Sequence, residues 1–454
     1  MSLDAINPVT GEVLERFEET SAEEVARIVA TAHAAFLEWR EQPFAARAER
    51  MREAARLLRA RRADYARVMA LEMGKPLAQG EAEVEKCAVA CDYYAEHAAP
   101  LLEDQPRTTD ASRSWVRFEP LGVVLAVMPW NFPFWQVFRF AAPNLMAGSA
   151  GLLKHASNVP RCALEIEQLF RAAGFPESLF STVLVGSARV GALVADPHVR
   201  AVTLTGSDGA GTRVAEQAGR ALKKTVLELG GSDPFLVLDD VDVAAVAAAA
   251  TSARLVNSGQ SCIAAKRFIV AERIADDFVA RFAAEMSARR MGDPLAPGVE
   301  VGPQARRDLR DALHRQVEES VGRGARIVCG GRVPDGPGAF YPPTVLTAVH
   351  EGMPAFDEET FGPVAAVVRA RDDDHAVALA NDSPYGLGAS IWTRDPRRGE
   401  RLATRIDAGC VFVNGPVRSD PRLPFGGVKR SGYGRELSEY GLREFVNVKS
   451  VWIA

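Results

Sequence analysis

Apolar residues recur at three- and four-residue intervals over residues 21–39, 44–72 and 77–98, with Pro43, Gly74 and Pro76 as punctuation between them. This spacing predicts three helices in an N-terminal layer. From residue 121 the pattern changes. Val123-Val124-Leu125-Ala126-Val127-Met128 reads as a strand, a helix begins near Pro133, and Leu152-Leu153-Lys154 is strand-like again. The alternation continues through helix 160–173, strand 180–185, helix 188–195, strand 200–205, helix 210–222 and strand 224–229. Repeated strand–helix units predict a parallel sheet covered on both faces.

A second series starts at Pro234-Phe235-Leu236-Val237-Leu238. Its helices are expected near 243–256, 274–290, 303–323, 373–381 and 396–406, with strands such as 364–368 and 409–413 between them. The expected fold class is α/β with two such units joined near Gly230-Gly231. Residues 1–101 and 121–230 are assigned to the first and 231–430 to the second. Segments 102–120 and 431–454 fit neither series. Trp115-Val116-Arg117-Phe118 and Val446-Asn447-Val448-Lys449 alternate like exposed strands, and exposed edges call for a partner. A homodimer or homotetramer is expected.

Bulk properties then narrow the function classes. The chain has 454 residues, more than one ordinary core accommodates, and a formal net charge of -5 that gives no basic excess for nucleic acid. Arg59, Arg61 and Arg62, interleaved with Ala and Leu, read as a solvated helix face. No apolar run suggests a membrane span, and the first residues lack an export signal. Six cysteines without any Cys-x-x-Cys argue for a reducing, cytoplasmic compartment. Histidines are scattered singly, so no metal site is expected.

Chemistry concentrates in a few loops. Cys262 lies in Gly259-Gln260-Ser261-Cys262 after an Ala-rich helix, and a helix expected to follow it would present N–H groups that lower the thiol pKa. Glu228 ends a strand before Gly230-Gly231, where partial desolvation would poise it as a base. Asn131 follows a strand's C-terminal end, where open α/β sheets place ligands. Thr205-Gly206-Ser207-Asp208-Gly209-Ala210-Gly211 lies between a strand and a helix, and a helix N-terminus there would suit a pyrophosphate.

With Pro129-Trp130-Asn131-Phe132-Pro133, Glu359-Thr360-Phe361-Gly362-Pro363 and Pro424-Phe425-Gly426-Gly427 in the same order, the chain resembles the aldehyde dehydrogenase family over essentially its whole length. The resemblance implies a Rossmann-type cofactor domain, an α/β catalytic domain and a small β flap for oligomerisation. It implies that Cys262 is the nucleophile, that Asn131 and the Cys262 backbone N–H stabilise the oxyanion, and that Glu228 activates water. Trp130, Gly206, Ser207, Glu359 and Phe361 would contact a nicotinamide cofactor.

Two details refine the expectation. Lys154 and Ser157 stand where the resemblance places the adenosine ribose. Many NAD-preferring relatives carry Glu at the position of Ser157, so NADP is expected to be favoured and NAD to remain usable. Phe132, Gln136 and Arg139 share a helix face that begins at Asn131, and Arg139 with Ser419 suits a substrate carboxylate where relatives acting on apolar aldehydes have aromatics. Phe425 would complete the apolar wall. The pattern resembles the succinate-semialdehyde branch of the family; glutarate semialdehyde or another small aldehyde would use the same chemistry.

Overall fold

Six strands form the first sheet of the computed structural model, which describes residues 2–454. In spatial order they are Gly432–Tyr433, Lys224–Glu228, Val199–Thr205, Val123–Met128, Ala150–His155 and Phe180–Thr182. All neighbours pair in parallel except Gly432–Tyr433, which is antiparallel to Lys224–Glu228. Every residue of Ala150–His155 is buried, as expected of a strand covered on both faces. Numbered along the chain, the parallel strands lie in the order 5-4-1-2-3, so the winding direction reverses between Val123–Met128 and Val199–Thr205. A crevice opens beyond the C-terminal ends of strands at such a reversal.

The N-terminal layer packs on this sheet as one hydrophobic core. Ser21 caps Ala22–Trp39 by accepting from the Glu24 N–H. The single helix expected over 44–72 is two, Phe44–Ala60 and Arg62–Met73, because Arg61 leaves helical geometry at φ -109° and ψ 21°. Its guanidinium lies over the Tyr65 ring and bonds Glu165. Apolar spacing continues across the break, so periodicity alone does not reveal it. In the helix Leu77–Leu101, Glu83 accepts from the N–H groups of Phe134 and Trp135 at 2.9 Å each, at the start of helix Trp135–Ala147. A buried ion pair with Lys75 neutralises that carboxylate. Two of the donors orphaned at that helix N-terminus are thereby satisfied from a neighbouring helix.

The second sheet has seven strands in the order Arg326–Cys329, Thr344–Thr347, Val364–Ala370, Arg267–Ala271, Pro234–Val237, Gly388–Trp392 and Cys410–Val413. Only the Arg326–Cys329 pairing is antiparallel. Among its expected helices, that of 303–323 begins later, at Arg307. An N-terminal hairpin, Ser2–Ile6 with Val13–Glu18, was not anticipated.

The flap is a three-stranded antiparallel sheet of Gln105–Pro106, Arg113–Pro120 and Val446–Ile453. Residues 431–445 do not belong to it, contrary to the sequence assignment. Gly432–Tyr433 joins the first sheet, and Leu437, Leu442 and Phe445 enter its core. Gly432 makes this possible: it has φ +110°, and a β-carbon there would overlap the Leu227 carbonyl.

Candidate active site

The helices Leu77–Leu101, Trp135–Ala147 and Val243–Leu255, with the loops that meet them, line a cavity of about 260 Å³. Six residues singled out in the sequence line it: Cys262, Arg139, Gln136, Phe132, Ser419 and Phe425. Lys86, Trp135 and the exposed Arg418 are also on its wall. Lys86, Phe132 and Trp135 also face an adjoining cavity of about 440 Å³.

No helix follows Cys262. A turn closed by the Ala264 N–H donating to the Ser261 carbonyl leads directly into the strand Arg267–Ala271. The expected helix dipole is absent, and burial pushes the thiol up to about 12, with Arg139 and Lys266 pulling in the other direction. The loop is held from below by Lys266, fully buried, whose ammonium donates to the carbonyls of Ser261, Cys262 and Ala264 at 3.0, 2.8 and 3.3 Å. Upstream, Asn257 and Ser258 adopt left-handed φ of 54° and 56°, unusual for residues with a β-carbon. The Asn257 amide donates to the carbonyls of Asn131 and Gln260, and the Ser258 hydroxyl accepts from the Gly302 N–H.

Asn131 lies in the loop after Val123–Met128, and its amide donates to the Gln260 carbonyl at 3.1 Å, two residues before the cysteine. Glu228 terminates Lys224–Glu228, is 2 % exposed, and has no hydrogen-bond partner on either carboxylate oxygen. Burial raises its pKa well above the usual range, Arg139 opposes that, and Glu436 adds to it. The desolvation anticipated for Glu228 is thus present, and it favours proton uptake by the carboxylate.

Arg139 requires a correction. Its guanidinium is buried, forms an ion pair with Glu436, donates to the Thr205 hydroxyl at 3.2 Å and lies 4.7 Å from the centre of the Phe425 ring. Glu436 reaches it because residues Phe425 and Glu436 exchange both backbone hydrogen bonds at 2.7 Å. The guanidinium expected to be free for a substrate therefore already balances a buried carboxylate.

The remaining positions surround this centre. Ser207 caps the helix Asp208–Arg220, accepting from the Ala210 N–H, and a β-carbon at Gly211 would collide with Leu229. The Gly206 N–H donates to the Glu228 carbonyl at 3.0 Å. Lys154 is buried at the end of Ala150–His155 and has neither ion pair nor hydrogen bond among the described residues, while Ser157, in the following turn, is exposed. Ser157 lines a separate cavity of about 580 Å³ with Arg306 and Arg307. Beside Lys154, His155 has a bridging role: its Nε2 bonds the Pro133 carbonyl and its Nδ1 accepts from the Ala156 N–H. Glu359 accepts from the Gly231 N–H at 3.0 Å and pairs with Lys266 at 3.4 Å. Phe361 meets Trp130 edge to face, ring centres 5.7 Å apart.

Glycines make these segments interlock. A β-carbon at Gly230 would stand 2.6 Å from a Glu359 oxygen, one at Gly231 2.8 Å from the Cys262 carbonyl, and one at Gly426 2.8 Å from a Glu228 oxygen. One at Gly259 would overlap the Gly362 backbone. Each Gly-containing stretch noted in the sequence therefore touches another. Lys86, Lys266 and Glu436 were not foreseen. Nothing in the sequence marked Lys86, which follows Glu81, Glu83 and Glu85 in a charged stretch, whereas Lys266 lay in view four residues after Cys262.

Comparison with known proteins covers the same residues. The aldehyde dehydrogenase family model matches residues 1–451. The chain is 51 % identical to the probable succinate-semialdehyde dehydrogenase [NADP(+)] of Synechocystis over 454 residues, covering 100 % of both chains. It is 52 % identical over 457 residues to succinate-semialdehyde dehydrogenase [NADP(+)] 1 of Mycobacterium tuberculosis, again covering 100 % of each. The crystal structure of Streptococcus pyogenes succinic semialdehyde dehydrogenase in complex with NADP+ superposes with a TM-score of 0.97 at 37 % identity, covering 99 % of both chains. A match that runs through both sheets and through every loop meeting at Cys262 leaves no part of the site outside it, and the chain belongs to the aldehyde dehydrogenase family.

Proposed function

We propose that the chain oxidises succinate semialdehyde to succinate with NADP+ as the preferred hydride acceptor and NAD+ as a poorer one. The observation that carries this reading is the cavity at Cys262, about 260 Å³ in volume, whose wall joins a cysteine to a hydroxyl and a lysine that can receive a carboxylate. Its size suits a four-carbon acid. The full-length relatives named for this activity support the same substrate and cofactor.

In the proposed reaction Cys262, once deprotonated, attacks the aldehyde carbon, and the Asn131 amide with the Cys262 N–H stabilises the oxyanion. NADP+, when bound, accepts the hydride. The acyl group remains on sulfur as a thioester. Glu228, as carboxylate, takes a proton from water, the hydroxide attacks the thioester carbon, and succinate leaves with the thiolate restored. Aldehyde, water and NADP+ become acid, NADPH and a proton, so atoms and electrons balance.

The residues fit the cofactor. Lys154 is an unpaired buried ammonium suited to a phosphate, Ser157 carries no charge to repel one, and the helix capped by Ser207 has a positive N-terminal end that would suit the pyrophosphate. Glu359 and Phe361 would hold the nicotinamide ribose and ring, with Trp130 and Gly206 also against the cofactor. The unpaired edge Val446–Ile453, with Val448, Trp452 and Ile453 exposed, supports a homodimer or homotetramer. Six free cysteines support a reducing, cytoplasmic setting.

Steady-state turnover of succinate semialdehyde, glutarate semialdehyde and butanal with each nicotinamide tests the reading. The highest kcat/KM is expected for succinate semialdehyde with NADP+, at least about tenfold above butanal, the ratio of one charged contact. A preference for butanal, or no reduction of either cofactor, would overturn it.

A further inference from the structure

We propose that Lys86, acting with Ser419, binds the distal carboxylate of the semialdehyde and thereby sets substrate choice. This rests on the substrate reading above and adds to it a residue that neither spacing nor resemblance singled out.

Lys86 is placed rigidly. It follows Glu83 by three residues on Leu77–Leu101, and Glu83 is fixed to the start of Trp135–Ala147 by its two backbone acceptances and to Lys75 by the buried ion pair. The Lys86 ammonium consequently sits 4.3 Å from the centre of the Trp135 ring and donates to the Ser419 hydroxyl at 2.7 Å. It has no ion pair among the described residues. Its surroundings are costly for a cation: burial, followed by the positive charge of Arg139, lowers its pKa to about 8. A lysine ammonium has three donors, and here one goes to a neutral oxygen and none to an anion. Ser419, accepting from Lys86, keeps its own proton for a further acceptor. The pair is a preformed two-donor site for a carboxylate on the wall that also carries Cys262.

The other cations of that wall are less suited. Arg139 is committed to Glu436. Arg418 is exposed, so water competes for it and weakens any pairing. In a succinate semialdehyde bound to Cys262, the carboxylate carbon lies about 4 Å from the aldehyde carbon when extended. That reach is short enough for both ends to lie within the cavity, with Lys86 where it meets the adjoining space.

Lys86→Met, which keeps the stem and deletes the charge, is the decisive variant. Its kcat/KM for succinate semialdehyde should fall on the order of 30- to 100-fold, mainly through KM, with butanal changed by less than about threefold, as for a lost charged contact. Competitive inhibition by succinate should weaken in parallel, an equilibrium measure independent of chemistry. Equal losses on both aldehydes would overturn the proposal, since Lys86 would then merely support the wall. Undiminished turnover of succinate semialdehyde, in an enzyme that prefers it to butanal, would overturn the role of Lys86 and leave the substrate reading intact. A wild type without that preference would remove both. If Lys86→Met does not fold, Lys86→Gln gives the same readout, with retention of the wild-type preference overturning the proposal.

Discussion

Cys262 shows how a residue can be singled out by its sequence surroundings while its local physics is misjudged. The run Gly259-Gln260-Ser261-Cys262 was visible in the sequence, but the helix expected after it is replaced by a turn and a strand. Nothing in the apolar pattern separates those outcomes over so short a stretch. Lys266 decides between them by taking three carbonyls that a helix would have used in its own ladder. The consequence for reactivity is direct. With the thiol pushed up to about 12, the thiolate fraction at neutral pH is small and grows about tenfold per pH unit. Alkylation of Cys262 by iodoacetamide in the protein alone should therefore climb about tenfold per unit from pH 7 to 9, as followed by mass spectrometry. A plateau below pH 8 would show that the thiol is acidified instead.

Elements, more than individual residues, were legible. Long helices and the strand–helix alternation were expected close to their observed positions, because each buries a stripe or both faces and so writes its period into the sequence. What could not be read is which charged side chains fold inward. Arg139 on Trp135–Ala147 and Glu436 in the segment after Gly432–Tyr433 are separated by 297 residues in the chain, and only the packed structure joins them. Their pairing changes what a mutation should do. Arg139→Ala would leave Glu436 buried without its cation and beside the raised Glu228, a change that costs about 3–5 kcal/mol of stability. Turnover of succinate semialdehyde and butanal should fall together. Denaturant unfolding and the two-substrate assay check this: an unchanged midpoint, with loss confined to the charged substrate, would return Arg139 to carboxylate binding. Lys86 was harder still to foresee, since lysines flanking an apolar helix face ordinarily reach solvent.

For the whole molecule, the crevice follows from the reversal of winding between Val123–Met128 and Val199–Thr205. The flap was anticipated from two orphan stretches; its C-terminal share was overestimated because Gly432 pairs into the first sheet and Leu437 and Phe445 belong to its core. Val446–Ile453 leaves one edge unpaired with Trp452 54 % exposed, so light scattering should give a dimer or tetramer, and Trp452→Glu should shift it towards monomer. A concentration-independent monomer in the unmodified chain would contradict this.

The contacts among Gly230, Gly231, Gly259 and Gly426 also bear on redesign. Because these glycines bring main chain from four distant segments against the others' backbone or carboxylates, the reactive centre is not modular. Exchanging one segment for its counterpart from a different scaffold would displace the remaining three, whatever chemistry the transplanted residues could perform. Altered specificity is better sought on the cavity wall around Lys86 and Ser419, where side chains rather than main chain meet, than in the loops that carry the reaction.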